Sequence, residues 1–483
     1  MSGVRAQTLA GNPGAAYRGG LSADRRRAES AVLVLAVGGA AAALPFVVVP
    51  AWYDAYYWPK VCVLYAAVGL GALQALRLEG AGWLRSFRDP LGAPLIVWLG
   101  ALAAATALSV NPLLSVVGED YRYEGLLTWL AYATLAALAA RTLRSPRRLR
   151  VILVAILAAA GVMSVLALLQ HGGLSPVPED VVRRGWVRAW GTTGNPIALG
   201  AYTVLLFPLA LALYAAENRP GRRLAYGALA LLLYAAMIAA EARAAWGAFA
   251  LGTSAWGLAV GSAAVRRAAR HLAVLAILCA AVAPAVLLTG PLATGHALEQ
   301  VPSAGDAVQR IFLWRTAAPL VLERPWLGWG PETLAQVYPA YGTPAFVRVF
   351  PAAATQSVIV DRPHNDLLQH AVAAGFVGLG AYVWLWYTVL RMTWRAARVR
   401  GAGDHGLRRG DDRRSLLADP PVIAAGLFGG FVAYLAQLQL SFSYVSVAPV
   451  FWVLVGAAAA LRPRVAWRGP ALERLPRRGG PRV

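Results

Sequence analysis

Apolar runs recur from residue 30 to residue 462 of this chain, each close to the roughly 20 residues that a helix needs to cross a bilayer. Hydrophobic residues make up 58% of the sequence and charged residues only 14%, which excludes an ordinary soluble domain. We therefore predict an all-α polytopic membrane protein of about twelve transmembrane helices. The candidate spans are 30–50, 59–76, 92–109, 125–140, 150–170, 196–214, 225–241, 244–264, 271–290, 366–390, 421–441 and 445–461.

The charged residues support this topology. If the N-terminus is cytoplasmic and the loops alternate, cytoplasmic segments hold 34 of the 45 Lys and Arg residues and 10 of the 23 Asp and Glu residues. This excess is what the positive-inside rule predicts. The basic residues behind the net charge of +22 are therefore interpreted as anchors that fix the topology and favour anionic lipids. No nucleic-acid site is expected.

These spans divide the chain into five parts. The long connection before the last three spans contains a predicted amphipathic helix at 306–322, because apolar residues recur there with helical spacing. Pro325 is expected to end this helix. Because aromatic-rich amphipathic segments tend to lie at the membrane–water boundary, we predict a structured cap on the outer face. The parts are a cytoplasmic tail (1–29), helices 1–9 (30–290), the outer loop or cap (291–365), helices 10–12 (366–462) and a cytoplasmic tail (463–483).

Ionisable residues at membrane level are costly, so those of the outer face are candidates for function. Glu241 and Arg243 are the only charges in residues 225–262, which are just long enough for two spans and a minimal turn. Arg243 could clamp a phosphate there, or the two residues could form only a turn with a local ion pair. Lys60, the only lysine, is expected to reach the outer interface as an anchor or as a phosphate contact.

Two further candidates come from the cap and its end. Arg310 lies one turn before Trp314, so the two share a helix face and could stack, with a structural role or a ligand role. His364 precedes Asn365 and Asp366 at the start of a span, in a pattern that resembles a helix N-cap. A histidine there could act as a general base, although a lone loop histidine can also be structural.

Several signatures are missing from the sequence. It contains no HExxH, no CxxC pair, no P-loop, no Rossmann glycine fingerprint and no clustered metal-ligand spacing. Both cysteines fall inside apolar spans, so no disulfide is expected. Chemistry on the outer face should therefore rely on Arg, Lys and His side chains, and neither a metal nor a cofactor is predicted.

Read together, several segments resemble the O-antigen ligase/polymerase superfamily of membrane glycosyltransferases, with a GT-C-like architecture. The family pattern G-T-x-G-N-P is met at 191–196, R-x-x-x-W followed by P-x-x-G-x-G at 310–330, and H-N-x-x-L-Q at 364–369. GEDYRYEGLL (118–127) and EARAAWGAF (241–249) also match, although Ala244 replaces a glycine that the family often carries after its arginine. The order of the motifs is more specific than any one of them.

The resemblance implies a metal-independent, inverting transfer of a glycan from an undecaprenyl-diphosphate donor to an acceptor hydroxyl. It would occur on the periplasmic side of a bacterial inner membrane, with both termini in the cytoplasm. By the same resemblance His364 is the catalytic base and Arg243 and Arg310 hold the donor diphosphate. Lys60 and Arg122 are further candidates for the diphosphate, and the residues that could contact acceptor or sugar are Asn195, Trp314, Asn365 and Asp366.

The acceptor stays open at this stage. The enzyme could be a ligase that transfers the glycan to a lipid A core, a polymerase of O-antigen or exopolysaccharide repeats, or a protein O-oligosaccharyltransferase. A lipid-linked sugar flippase or other transporter is the alternative outside enzymes. A transporter would need charges along a central path, whereas the informative charges of this sequence gather on one face.

Overall fold

The protein is described by a computed structural model that covers residues 31–80, 90–175, 188–289, 305–341, 360–399, 417 and 419–461. Within these ranges the regular structure is entirely helical. The predicted all-α class is therefore confirmed. Parts of the predicted outer loop, 291–304 and 342–359, and both predicted tails lie outside the described residues.

A helix occupies each of the twelve predicted spans. The first nine are interrupted only by a short helix at the loop after the third. In chain order the helices are α1 (Ala31–Phe46), α2 (Trp58–Glu79), α3 (Gly92–Ala107), α4 (Pro112–Val117), α5 (Leu126–Thr142), α6 (Pro146–His171), α7 (Pro196–Ala216), α8 (Pro220–Ala239), α9 (Arg243–Val260), α10 (Ser262–Thr289), α11 (Gly305–Glu323), α12 (Leu334–Val337), α13 (Asp366–Ala397), α14 (Pro420–Leu438) and α15 (Ala448–Ala460).

Seven of these helices are long and apolar enough to cross a membrane: α2, α6, α7, α8, α10, α13 and α14. Four others, α1, α3, α5 and α15, are apolar but shorter. The protein is therefore a polytopic membrane protein, and the number of twelve spans stays a prediction. The amphipathic helix predicted at 306–322 is present as α11, which ends before Pro325 as expected.

Small residues allow the central helices to approach closely. In α7, 94% of the most apolar window is buried, whereas the corresponding share in α10 is 6%, so α7 is central and α10 peripheral. Gly252 of α9 faces Gly429 and Ala433 of α14, and a Cβ added at Gly252 would lie 2.5 Å from the Ala433 Cβ. Close backbone packing through small residues is typical of helices in membranes, where the hydrophobic effect does not drive association.

The loops gather at two ends of the bundle. One end, called the site end below, carries segments 47–57, 108–125, 188–195, 240–242, 324–333, 360–365 and 439–447, which contact one another. The opposite end carries basic side chains in local contacts, such as Arg141 with Glu79 and Arg223 with His271. This arrangement agrees with the prediction that the informative charges gather on one face. That the site end is exposed to the periplasm stays a prediction.

We expect Gly252→Val to lower the stability of the protein by about 1–3 kcal/mol, because the added atoms overpack the contact between α9 and α14. Thermal unfolding of the purified protein in detergent measures this change. Gly257→Val is the matched control, since Gly257 is in the same helix and a Cβ there meets nothing within 4 Å. Equal unfolding temperatures for the two variants would contradict the packing described here.

Candidate active site

His364 lies in a tight turn immediately before α13. The Asn365 side chain accepts a hydrogen bond from the Leu368 backbone N–H at 2.9 Å, so the predicted N-cap is confirmed. His364 itself has a φ of +52°, a conformation that non-glycine residues rarely adopt. Its ring lies 5.1 Å from the ring of Phe442 in the loop after α14. The turn therefore directs the imidazole toward the site end of the bundle.

Helix α11 is joined to this turn through its tryptophan. The Trp314 indole N–H donates to the Pro363 carbonyl at 2.9 Å. Arg310, one turn earlier on α11, is close enough to His364 for its guanidinium to lower the pKa of the imidazole. The structure thus brings Arg310 and His364 together, and Trp314 holds the helix that carries the arginine.

Arg122 approaches the same place from the loop between α4 and α5. Its Nε lies 2.6 Å from the Asp361 carboxylate, and its guanidinium carbon lies 4.7 Å from the centre of the Phe442 ring. Arg122 and His364 therefore contact the same aromatic ring. The resemblance proposed Arg122 as a candidate, and its position beside His364 is compatible with that role.

Arg362 is the buried centre of a second set of charges. Only 3% of its surface is exposed, and its Nη2 lies 2.5 Å from Glu332 and 3.7 Å from Glu124. Glu124 also accepts a hydrogen bond from the Tyr132 hydroxyl at 3.1 Å. Together with the preceding residues these side chains form one group, called the charged cluster below. It consists of Glu119, Arg122, Glu124, Arg310, Glu332, Asp361, Arg362 and His364.

The environment keeps His364 neutral. Burial and the neighbouring Arg310 guanidinium lower the pKa of the imidazole to about 4, although Asp361 acts in the opposite direction. Its Nδ1 atom is buried and has no hydrogen-bond partner among the described residues. The imidazole is thus in the unprotonated form that a base requires.

Two carboxyl groups of the charged cluster are partly protonated near neutral pH. Burial, followed by the negative charges of Asp361 and Glu332, raises the pKa of Glu119 to about 7. Burial also raises the pKa of Glu124 to about 7, against the attraction of Arg362. Because partial protonation removes negative charge from the cluster, its arginines are better able to attract an anion.

The segment 325–330 explains how α11 and α13 are held together. Helix α13 kinks at Ala374 and Gly375, where the backbone leaves the helical conformation. The N–H groups of Trp329 and Gly330 donate to the carbonyls of Val372 and Ala373 at 2.9 and 3.0 Å. The P-x-x-G-x-G motif therefore fills the kink of α13.

Glycine is required on both sides of this contact. Gly328 and Gly330 have positive φ, and a Cβ at Gly328 would lie 2.3 Å from the Val372 carbonyl oxygen. A Cβ at Gly375 would lie 2.3 Å from the carbonyl carbon of Trp326. No side chain larger than hydrogen fits such distances, which accounts for the glycines of the motif.

Arg243 is the first residue of α9, and its side chain is exposed at the site end. The predicted minimal turn between two spans is confirmed, because α8 ends at Ala239 and α9 begins at Arg243. Arg243 lies nine residues before Gly252 in α9, and Leu438 lies nine residues after Gly429 in α14. Because the helices are antiparallel and these glycines are in contact, Arg243 lies at the height where the 439–447 loop begins. A cavity shared by Arg243, Arg310 and His364 stays a prediction.

Lys60 is not at the surface, so the expected interfacial position is wrong. Its side chain is fully buried, and its ammonium donates to the carbonyls of Val47 (2.8 Å), Tyr56 (2.8 Å) and Thr192 (3.0 Å). All three hydrogens of the ammonium are therefore used. Lys60 ties the first loop of the site end to the G-T-x-G-N-P motif instead of reaching out to a phosphate.

Three of the candidates for acceptor or sugar contact have roles within the fold. The Asn195 and Asn365 side chains cap α7 and α13. The Asp366 carboxylate is 2% exposed and accepts a hydrogen bond from the Tyr382 hydroxyl at 2.5 Å inside the bundle. The Asp366 carboxylate thus has a partner within the bundle, and its predicted contact with a ligand stays a prediction.

Sequence reasoning missed Arg362, Glu332 and Phe442 as members or neighbours of the site. Arg362 lies two residues before His364, and Glu332 lies two residues after the P-x-x-G-x-G motif, so proximity to a motif was the available signal. The pairing of Arg362 with Glu332 and Glu124 depends on three separate loops. Nothing in the spacing of these residues along the chain could predict it.

Within the described ranges, no group of three or more His, Cys, Asp or Glu side chains is arranged to hold a metal ion. The carboxylates that do approach one another are paired with arginines of the charged cluster. Independence from metals and cofactors stays a prediction.

The described residues thus form a helical membrane bundle in which arginines, one of them buried, lie with an unprotonated histidine at one end. Residues 227–383, about a third of the chain, match the family model described as O-Antigen ligase. The match supports the predicted resemblance to the O-antigen ligase/polymerase superfamily over this segment, which contains Arg243, Arg310 and His364. The family implies a glycosyltransferase activity of the ligase or polymerase kind. A comparison with curated proteins gives no match.

We expect Lys60→Met to destabilise the protein, because three carbonyls lose their donor and each unsatisfied buried group costs about 1–3 kcal/mol. Thermal unfolding in detergent measures this effect. Arg77→Met is the matched control, since Arg77 is an exposed cation of the same helix. If Lys60 bound a phosphate instead, its replacement would leave stability unchanged and raise the KM for the donor.

Proposed function

We propose that this protein is an inverting glycosyltransferase of the O-antigen ligase type. In this proposal it transfers a glycan from an undecaprenyl-diphosphate-linked donor to an acceptor hydroxyl at the periplasmic face of a bacterial inner membrane. The observation that carries the proposal is the approach of Arg310 to the neutral imidazole of His364, whose Nδ1 atom is buried. Both residues lie inside the segment that matches the family.

The first requirement of the reaction is to stabilise a departing diphosphate. Negative charge develops on the leaving oxygen as the bond between that oxygen and the anomeric carbon breaks. Guanidinium groups fixed beside this oxygen stabilise the transition state more than the ground state, which is how binding energy raises a rate. Arg310 is proposed to supply this contact, with Arg243 and Arg122 as further contacts to the same anion. Arginines in these roles make a metal unnecessary.

The second requirement is a base for the acceptor. His364 is proposed to take the proton of the acceptor hydroxyl while the acceptor oxygen forms its bond to the anomeric carbon. The electron pair of the broken bond leaves with the diphosphate. Direct displacement of this kind inverts the anomeric carbon.

The low pKa of His364 fits an ordered reaction. An imidazole with a pKa of about 4 is unprotonated at neutral pH but is a weak base. A bound diphosphate beside Arg310 would offset the positive charge that lowers this pKa. The base is therefore expected to strengthen when the donor is in place.

A polymerase of O-antigen or exopolysaccharide and a protein O-oligosaccharyltransferase would use the same chemistry on a different acceptor. The glycan phenotype of a deletion strain separates them, since loss of attachment to lipid A core, loss of polymer length and loss of protein glycosylation are different outcomes. A flippase is disfavoured because the charged cluster lies at one end of the described bundle.

We expect Arg310→Ala to reduce the rate of glycan transfer on the order of 100-fold and His364→Ala by about 100-fold or more. The assay uses purified protein with an undecaprenyl-diphosphate-linked glycan and follows formation of the product. Arg270→Ala serves as the control, because Arg270 is an exposed arginine of α10 outside the charged cluster. Normal transfer by both site variants, in well-folded protein, would refute the assignment.

We also expect the His364 imidazole to titrate near pH 4 in the protein without donor, and at higher pH once undecaprenyl diphosphate is bound. Burial and Arg310 both disfavour the imidazolium, and an anion beside Arg310 reverses the part of the shift that the arginine causes. NMR of labelled histidine, with His364→Gln to identify the signal, measures both values. A pKa of about 6.5 that does not respond to the lipid would contradict this coupling.

A further inference from the structure

A groove of about 510 Å³ lies at the site end beside the charged cluster. It is formed by the loop before α2 and the loop between α4 and α5. Four aromatic side chains and two carboxylates line it: Trp52, Tyr53, Trp58, Tyr123, Asp54 and Asp120. None of these residues has a role in the reaction proposed above.

The aromatic wall of the groove is held rigidly. The Asp54 carboxylate accepts hydrogen bonds from the backbone N–H groups of Tyr56, Tyr57 and Trp58 at 2.9–3.1 Å. The Trp58 ring packs 5.0 Å from the Tyr123 ring. Three rings of the wall remain open to a ligand, since Trp52, Tyr53 and Trp58 are 43%, 86% and 39% exposed.

The second loop directs neighbouring residues to two different places. Tyr121 and Tyr123 both have positive φ, at +64° and +55°, a strained conformation for residues other than glycine. Between them, Arg122 turns toward Asp361 and Phe442 in the charged cluster, while Tyr123 lines the groove. The groove and the charged cluster are thus adjacent parts of one continuous surface.

We propose that this groove is a carbohydrate subsite that holds an uncharged sugar of the glycan while the diphosphate lies against the arginines of the charged cluster. This inference rests on the proposed function. The apolar face of a sugar ring can pack on the exposed aromatic rings, and the exposed carboxylate of Asp120 can accept hydrogen bonds from sugar hydroxyls. The two carboxylates repel a phosphate, so the anionic and neutral parts of the substrate are separated by charge.

A membrane anchor is the other use for exposed aromatic residues at a bundle end. The carboxylates argue against it, because an anchor surface faces lipid and the Asp120 side chain is exposed in the groove itself. An anchor would also not require the strained turn that places Tyr123 beside Trp58.

The test compares Tyr53→Ala and Asp120→Asn with the unmodified protein in three measurements. These are the Kd for undecaprenyl diphosphate without a sugar, the Kd for the same lipid carrying the glycan, and the KM for the acceptor. If the donor sugar occupies the groove, each variant weakens binding of the glycan-bearing lipid by about tenfold and leaves binding of the sugarless lipid unchanged. A rise of similar size in only the KM for the acceptor would overturn the placement of the donor sugar, because it indicates that the acceptor sugar occupies the groove.

Trp326→Ala is the matched control, because Trp326 is an exposed aromatic residue at the site end outside the groove. Unchanged values in all three measurements for both groove variants would overturn the subsite. Equal losses in the groove variants and in Trp326→Ala would also overturn it, since that result indicates membrane anchoring. Failure of the proposed function is a separate result, because it requires that Arg310→Ala and His364→Ala retain transfer.

Discussion

Backbone hydrogen bonds that α13 loses at its kink are replaced by bonds to the segment 325–330, and the site depends on this replacement. In a bilayer no water is present to hydrogen-bond an unpaired carbonyl, so the free backbone groups of a kinked helix must form hydrogen bonds within the protein. Here the partners come from the chain that follows α11. Because α13 begins just after His364 and α11 carries Arg310, one backbone contact positions both the imidazole and the guanidinium. This contact requires the glycines at 328, 330 and 375, because a larger residue at any of them would clash with neighbouring atoms.

Charge balance then decides what this end of the bundle can bind. Arg122 and Arg362 are each paired with a carboxylate, which makes their burial tolerable. Glu119 and Glu124 have pKa values raised to about 7, so they do not fully neutralise the arginines. Partial protonation of these two carboxyl groups lowers the negative charge of the cluster to about that of its three arginines, so an anion at its surface is not repelled by a net negative charge. Burial, together with the same positive charges, keeps His364 unprotonated, so anion binding and the basicity of the imidazole are coupled.

The sequence predicted the helices well because hydrophobic runs and basic loops are local signals, and each of the twelve spans has its helix. The cap at Asn365 was predicted for the same reason, and His364 and Arg310 became candidates because each lies in a short motif. Lys60 was misplaced because a cation beside an aromatic stretch suggests an interface. Whether it is buried depends on carbonyls from residues 47 and 192 that only folding brings to it. Arg362 was missed because its carboxylate partners are far away in sequence.

The position of the groove beside the charged cluster adds a reason for selectivity in the proposed reaction. In this proposal a lipid diphosphate without a glycan contacts the arginines but not the aromatic residues of the groove, whereas a glycan-bearing donor contacts both. Binding energy from sugar contacts remote from the anomeric carbon can then be used to orient the bond that breaks. In the proposed reaction the strained turn at 121–123 has this role, because it directs Arg122 toward the charged cluster and Tyr123 into the groove from the same short loop. In the proposed reaction, orientation of the donor follows from the separation of opposite charges along one surface.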